Sequence, residues 1–340
     1  MKIVYSDRHS AHDPQTFFVR GTRQRSSEQP ERATRLLSAA TAAGHQIVAP
    51  TSYGVAPAAT VHTPEYLDFL QIAAREWAKL PGASAEVIPN VHPARYPATY
   101  PKGLPGRAGW HQADLACPIG PHTWEAALAA TECAATAADA VLGGMREIYA
   151  LCRPPGHHAY ADMAGGFCFL NNTAIAAQRL RGKYQRVAIL DVDVHHGNGS
   201  QDIFWADKSV MYASTHQMPL FPGTGAASER GEHDTIVNVP LHAGDDGDTF
   251  REAFAHGVLP RLEAFRPDLI VISAGFDAHW RDPLANLKLT EADFAWATRE
   301  VMGIADRRCG GRVVSLLEGG YDLIGLSKSV AAHVETLMGR

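Results

Sequence analysis

The stretch Val187–Gly199 reads VAILDVDVHHGNG. Its first half is a continuous apolar run broken only by Asp191. Such a run suits a strand buried on both faces of a parallel sheet. Its second half brings Asp193, His195 and His196, then the turn residues Gly197-Asn198-Gly199. In an open α/β sheet, ligands bind beyond the carboxyl ends of the strands. This one passage therefore predicts both the architecture and the place of the chemistry.

Working outward, similar apolar segments recur at Lys2–Tyr5, Ile148–Cys152, Val210–Ser214, Ile236–Val239, Leu269–Ser273 and Val313–Leu317. Helical patterns alternate with them. They run from Pro30 to about Ala43, from Thr63 onward, and over Thr123–Leu142, Asn172–Leu180, Thr249–Phe265, Glu291–Ala305 and Leu323–Met338. Pro30 and Pro64 stand at first helical positions, and Gly44 and Gly143-Gly144 close two of the helices. This alternation predicts one α/β domain over residues 1–340, with a central mostly parallel sheet and helices on both faces. Pro81–His122 stands apart. Eight prolines and five glycines interrupt it, and no period of 2 or 3.6 survives. Because it carries Tyr96, Tyr100 and Trp110, it is expected to be an ordered inserted loop with a functional role.

Composition narrows the function. Lys and Arg total 31 against 36 Asp and Glu, a net charge of −5, with no basic run. That balance argues against a nucleic-acid binder. No apolar run approaches the roughly 18–20 residues of a membrane span, and MKIVYSDRHS does not read as a secretory signal. Five dispersed cysteines without a CxxC fit reduced thiols in the cytoplasm.

The segments just beyond the apolar strands gather a site. RPPGHH ends with His157 and His158; DVDVHHGNG, AGFDAH and EGGY bring Asp193 and His195, Asp277 and Tyr321. Along extended chain, residues i and i+2 point the same way, so Asp191, Asp193 and His195 face one pocket while Val192 and Val194 face the core. With Asp277 they offer an O,N,O ligand set for one Zn²⁺, Fe²⁺ or Co²⁺, with a coordination position left open. One pair of adjacent histidines is an ordinary coincidence among 17; two such pairs at strand ends, each next to glycine, are not. His157 and His158 then read as base and acid, because an ordinary imidazole titrates near neutrality. Asp191 is expected to orient one imidazole or to hold a second cation, and Asn198 to orient the other imidazole. Tyr321 is a candidate donor to an oxyanion.

Six ordered motifs now carry a resemblance: RPPGHHA (Arg153–Ala159), GGFCFLNN (Gly165–Asn172), ILDVDVHHGNG (Ile189–Gly199), FPGTG (Phe221–Gly225), SAGFDAHWRDP (Ser273–Pro283) and LEGGY (Leu317–Tyr321). Together with Gln29-Pro30-Glu31-Arg32, they resemble the histone deacetylase superfamily, with its arginase–deacetylase fold. The resemblance implies a zinc-dependent amidohydrolase that removes acetyl or other acyl groups from amines. It implies Asp193, His195 and Asp277 as zinc ligands, His157 held by Asp191, His158 held by Asn198, and Tyr321 polarising the scissile carbonyl. Asn198 stands where one branch of the family has Asp. The resemblance further implies a structural K⁺ held by Asp191, Asp193, His195, Ser214 and Thr215. It places Gly166, Phe167 and Phe221 on the substrate channel.

The inserted loop is most similar to that of bacterial acetylpolyamine amidohydrolases, where it pairs two subunits and narrows the entrance. A homodimer through residues 81–122 and a small acylated amine substrate are the corresponding expectations. Asp114, which lies in this insertion, is the candidate acid for the distal ammonium; the Glu that this branch often shows in the stretch is missing between Pro89 and Trp124, a departure from its pattern. The competing readings are a protein-lysine deacetylase of the same mechanism, a dinuclear hydrolase using His279 and Asp282, and a non-catalytic acyl-amine sensor.

Overall fold

The protein is seen in a computed structural model that describes residues 1–92 and 99–339. Its strands are β1 (Lys2–Val4), β2 (Phe17–Val19), β3 (Thr22–Gln24), β4 (Gln46–Val48), β5 (Glu147–Ala150), β6 (Val187–Asp191), β7 (Val210–Gln217), β8 (Ile236–Leu241), β9 (Leu269–Ala274) and β10 (Val313–Leu317). Eight of them make one sheet in the order β4-β1-β5-β10-β9-β6-β7-β8, and every pair in it is parallel. This is the α/β arrangement that the alternation of strands and helices predicts. All carboxyl ends lie along one edge, which is why motifs scattered from residue 153 to 321 can meet.

The apolar run of β6 shows how the layers form. Val187 and Ile189 enter one core with helices α4 (Thr123–Leu142) and α5 (Asn172–Leu180). Ala188 and Leu190 enter the opposite core with α1 (Pro30–Ala42), α9 (Glu291–Cys309) and α10 (Leu323–Leu337). Each fully buried aliphatic side chain contributes about 1.5–3 kcal/mol, so a β6 exposed on either face would lose much of its stability. The strand ends at Asp191 because that carboxylate accepts the Asp193 N–H at 3.2 Å and turns the chain.

Helix α2 (Pro64–Trp77) anchors a third cluster. Tyr66, Phe69 and Leu70 pack there with Val87, Cys117 and Ile119 from the inserted loop. Val87 and Ile119 exchange backbone hydrogen bonds of 2.9 and 3.2 Å. The loop also contains α3 (Leu104–His111), in a stretch expected to lack periodic structure. Packing overrides its poor propensity: Ala108 and His111 are buried, and the His111 ring stacks on Phe69 at 5.0 Å. Tyr96 lies outside the described residues.

The helix expected over 249–265 is also corrected. It is α7 (Gly247–Ala253) and α8 (Leu259–Phe265) joined by a π-helical turn, Phe254–Val258. Pro260, which cannot donate a backbone hydrogen bond, sits at the start of α8. β7 runs three residues past Ser214, through Thr215, His216 and Gln217, all buried. Among the described residues no helix is long and apolar enough to cross a membrane.

Candidate active site

Asp193, His195 and Asp277 are buried, and one ligand atom from each lies within 4.8 Å of the other two. His195 Nδ1 is 3.2 Å from Asp193 Oδ1 and 3.0 Å from Asp277 Oδ2. Backbone N–H groups set both carboxylates. Gly319 donates to Asp193 Oδ2 at 2.8 Å, and Val194 donates to Asp277 Oδ1 at 2.8 Å. Burial and the charge of Asp193 push Asp277 up to about 7. Burial alone would lower His195, yet its bonds to Asp193 and Asp277 raise it to about 10.

The space itself fits an ion. A Cβ at Gly275 would stand 2.0 Å from Asp193 Oδ2, and one at Gly319 would stand 2.4 Å from Asp277 Oδ2. Two Asp and one His suit a divalent transition metal with an open position.

The tandem histidines lie beside this set, their ring centroids 4.0 Å apart. His157 Nδ1 donates to Asp191 Oδ2 at 3.0 Å, and Tyr212 O–H donates to the same oxygen. His158 Nδ1 donates to Asn198 Oδ1 at 2.7 Å, and Asn198 Nδ2 donates to Tyr160 Oη at 2.8 Å. With Nδ1 donating, a neutral His158 keeps its lone pair on Nε2. The two environments are opposed. Burial, together with the neighbouring His157 and His195, drives His158 well below the usual range. Burial would also lower His157, but Asp191 and Asp193 overcome it and hold that imidazole well above. Glu318 supports the pair from behind. It is fully buried and accepts the N–H groups of Gly156 (2.6 Å) and His157 (3.1 Å).

A cavity of about 510 Å³ opens onto these groups. His158, His195 and Tyr321 line it together with Asp114, Gly166, Phe167 and Phe221. Burial pushes the Tyr321 phenol well above its ordinary value, so it stays protonated and able to donate. Its ring lies 5.5 Å from that of Phe167, with the Arg32 guanidinium 4.8 Å over its face. Phe221 is 40% exposed and stands edge-on to His158 at 5.0 Å. Gly166 lets these rings close in. Its φ is +51°, and a Cβ there would meet His158 Cδ2 at 2.4 Å. Asp114 is part of the wall, but both its oxygens accept backbone N–H groups, from Ala116 at 2.7 Å and Gly166 at 2.9 Å.

The other expected residues lie close by. Ser214 pairs in register with Asp191, and its hydroxyl is 2.8 Å from His216 Nδ1. Thr215 is buried, and its hydroxyl lacks a hydrogen-bond partner. His279 stacks on Trp280 and approaches Glu291, and Asp282 binds backbone N–H groups. Neither joins the ligand set.

The β2–β3 hairpin is a part of the site that the strand-end motifs do not announce. Its tight turn at Arg20-Gly21 has φ of 50° and 80°, the pattern of a two-residue hairpin loop. FFV and TRQ flanking that dipeptide were the available signal, and the hairpin brings Phe17 and Phe18 to the cavity.

Known proteins share this fold. The family model described as the histone deacetylase domain matches residues 26–337. An acetylpolyamine amidohydrolase of Burkholderia pseudomallei is 44% identical over 292 residues, which cover 84% of this chain and 85% of that relative. A crystal structure of acetylpolyamine aminohydrolase from Burkholderia pseudomallei superposes with a TM-score of 0.92 at 40% identity, covering 99% of this chain and 98% of that one. The HDA15 HD domain superposes with a TM-score of 0.81 at 30% identity, covering 100% and 91%. This chain belongs to the histone deacetylase family.

Proposed function

We propose that this protein is a zinc-dependent amidohydrolase that removes acetyl groups from small acetylated amines such as acetylated polyamines. The observation that carries the reading is one cavity lined by His195, His158 and Tyr321 together with the rings of Phe167 and Phe221. The names of the Burkholderia relatives support the substrate class.

Asp193, His195 and Asp277 would hold the zinc. A divalent ion there polarises a carbonyl and lowers the pKa of water. The chain's own groups do the rest. The apolar rings admit an extended acyl amine and exclude bulk water. The lone-pair Nε2 of His158, which lines the cavity, takes a proton from the attacking water. As the carbonyl oxygen gains negative charge, the Tyr321 O–H donates to it. The imidazole then returns the proton to the amine nitrogen as the C–N bond breaks, releasing acetate and the free amine.

The reading extends to four finer points. A structural K⁺ beside Asp191, Asp193, His195, Ser214 and Thr215 is supported by the unpartnered Thr215 hydroxyl. A homodimer through residues 81–122 is supported by Val91, 49% exposed on that loop. Asp114 as a weak attractor of a distal ammonium is supported by its place in the cavity wall. A cytoplasmic location is supported by five buried cysteines, all free.

A second reading, a protein-lysine deacetylase of the same mechanism, rests on the histone deacetylase family match and fits the acetylpolyamine relatives less well. Acetate release from acetylated putrescine, cadaverine and spermidine and from an acetyl-lysine peptide separates the two. The first reading expects turnover of the polyamines, abolished by chelation and restored by Zn²⁺ or Co²⁺. Inertness of the zinc-loaded enzyme toward all four would sink both.

A further inference from the structure

We propose that Asp282 is a positioning residue for Tyr321. Its buried carboxylate ties the turn that carries the phenol to the loop that carries Asp277. The inference rests on the proposed role of Tyr321.

Residues 318–322 lie beyond β10 and belong to no strand or helix, so regular structure does not place Tyr321. Hydrogen bonds do. Gly319 donates to Asp193 Oδ2, and its carbonyl accepts the Phe276 N–H at 3.0 Å. Two residues on, the Tyr321 N–H donates to Asp282 Oδ2 at 2.7 Å, and the Asp322 N–H reaches the same oxygen at 3.4 Å. Between them Gly320 has φ of +121°, and its carbonyl accepts the Arg32 Nε–H at 2.7 Å, a third hold on the turn. The other Asp282 oxygen accepts the Leu284 N–H at 3.0 Å, so the carboxylate also shapes its own loop. Outside, Arg281 Nε donates to Asp322 Oδ1 at 2.9 Å and closes the same junction.

The residue type is set by the geometry. Three backbone donors converge on a side chain that is 8% exposed. A carboxylate has only acceptors and satisfies all three, whereas an amide would turn a donor toward one of them. Without Asp282 the turn is still held on its Gly320 side by Arg32, but the Tyr321 and Asp322 N–H groups lose their acceptor and the peptide that carries the phenol can shift. A misplacement of about 1 Å near the chemistry costs on the order of 10²-fold.

A double-mutant cycle in the zinc-loaded enzyme tests this, with acetylputrescine as substrate. Asp282→Ser is expected to lower kcat by about 10- to 100-fold with KM and zinc content unchanged. In the Tyr321→Phe background the same substitution should change kcat by less than about threefold, because the phenol it places is gone. Asp282→Asn, which keeps one acceptor oxygen, should fall between, and it carries the cycle if the serine variant does not fold. Equal losses in both backgrounds would overturn the proposal. Full turnover by Tyr321→Phe alone would instead overturn the role of Tyr321, and that single variant reveals it.

Discussion

One methyl group at residue 166 tests how tightly the site is drawn. Gly166 adopts φ of +51°, a region that costs other residues about 1–2 kcal/mol. Its Cβ in Gly166→Ala would stand 2.4 Å from His158 Cδ2, 2.9 Å from His158 Cγ and 2.9 Å from Phe221 Cε1. Carbon atoms rest at about 3.5–4.0 Å, so the imidazole must retreat by roughly 1 Å. Asn198 holds that ring at 2.7 Å, and the retreat breaks this bond or swings Nε2 off line. The structure therefore predicts a loss of about 10²-fold in kcat. Strain and overpacking together should cost about 2–4 kcal/mol of stability. None of Asp193, His195 and Asp277 is among the three nearest contacts, so metal content should hold. Steady-state acetate release, elemental analysis and urea unfolding on one preparation check all three. A kcat within about threefold of wild type would refute the reasoning, since the ring would have shown it can move freely.

Three further outcomes are expected from the same geometry. Gly275 has no left-handed φ, and its nearest obstacles in Gly275→Ala all belong to Asp193, with Oδ2 at 2.0 Å, Cγ at 2.4 Å and Cβ at 2.5 Å; the variant should lose most of its metal, and full metal occupancy would count against the ligand assignment. Tyr321→Phe keeps the ring against Phe167 and Arg32, so it should bind metal normally and lose about 10²–10³-fold in kcat; loss of the metal instead would show a structural role. His9, His62 and His333 are buried, and desolvation lowers them to about 3, 4 and 3. Their folded values lie below the ordinary 6.5, so the unfolded chain binds more protons between the two, and stability falls as pH drops through 6.5. Each should remove up to about 2 kcal/mol by pH 5, and a urea midpoint equal at pH 7 and pH 5 would contradict this.

Much of the site was legible because parallel strands bring their carboxyl ends to one edge. The few residues past the ends of IYALC, VAILDV, LIVIS and VVSLL were enough to gather His157, His158, Asp193, His195, Asp277 and Tyr321. Val192 and Val194 both pack against the core, as a period of 2 requires. The features that stayed hidden depend on the backbone or on packing. Asp282 has the look of a spare metal ligand in the sequence, because an acid that accepts backbone N–H groups leaves no pattern there. Helix α3 has Pro and Gly composition and forms by burying Ala108 and His111. β7 continues through Thr215 and His216 although polar residues usually signal a strand end; the His216 ring is bonded on both sides, to Ser214 and the Gly225 carbonyl. Asp114 has the sequence setting of an open rim charge, but a loop carboxylate can also cap its neighbours' N–H groups, and this one caps Ala116 and Gly166.

The central claim is that this cavity hydrolyses a small acylated amine by means of Asp193, His195 and Asp277. Its most direct test places equal concentrations of acetylputrescine and an acetyl-lysine peptide in one reaction with the zinc-loaded enzyme, and monitors both free amines by mass spectrometry. The account predicts that putrescine appears first and that Asp277→Asn forms neither product. Faster release of the deacetylated peptide would contradict the small-amine assignment, and undiminished turnover by Asp277→Asn would contradict the metal site.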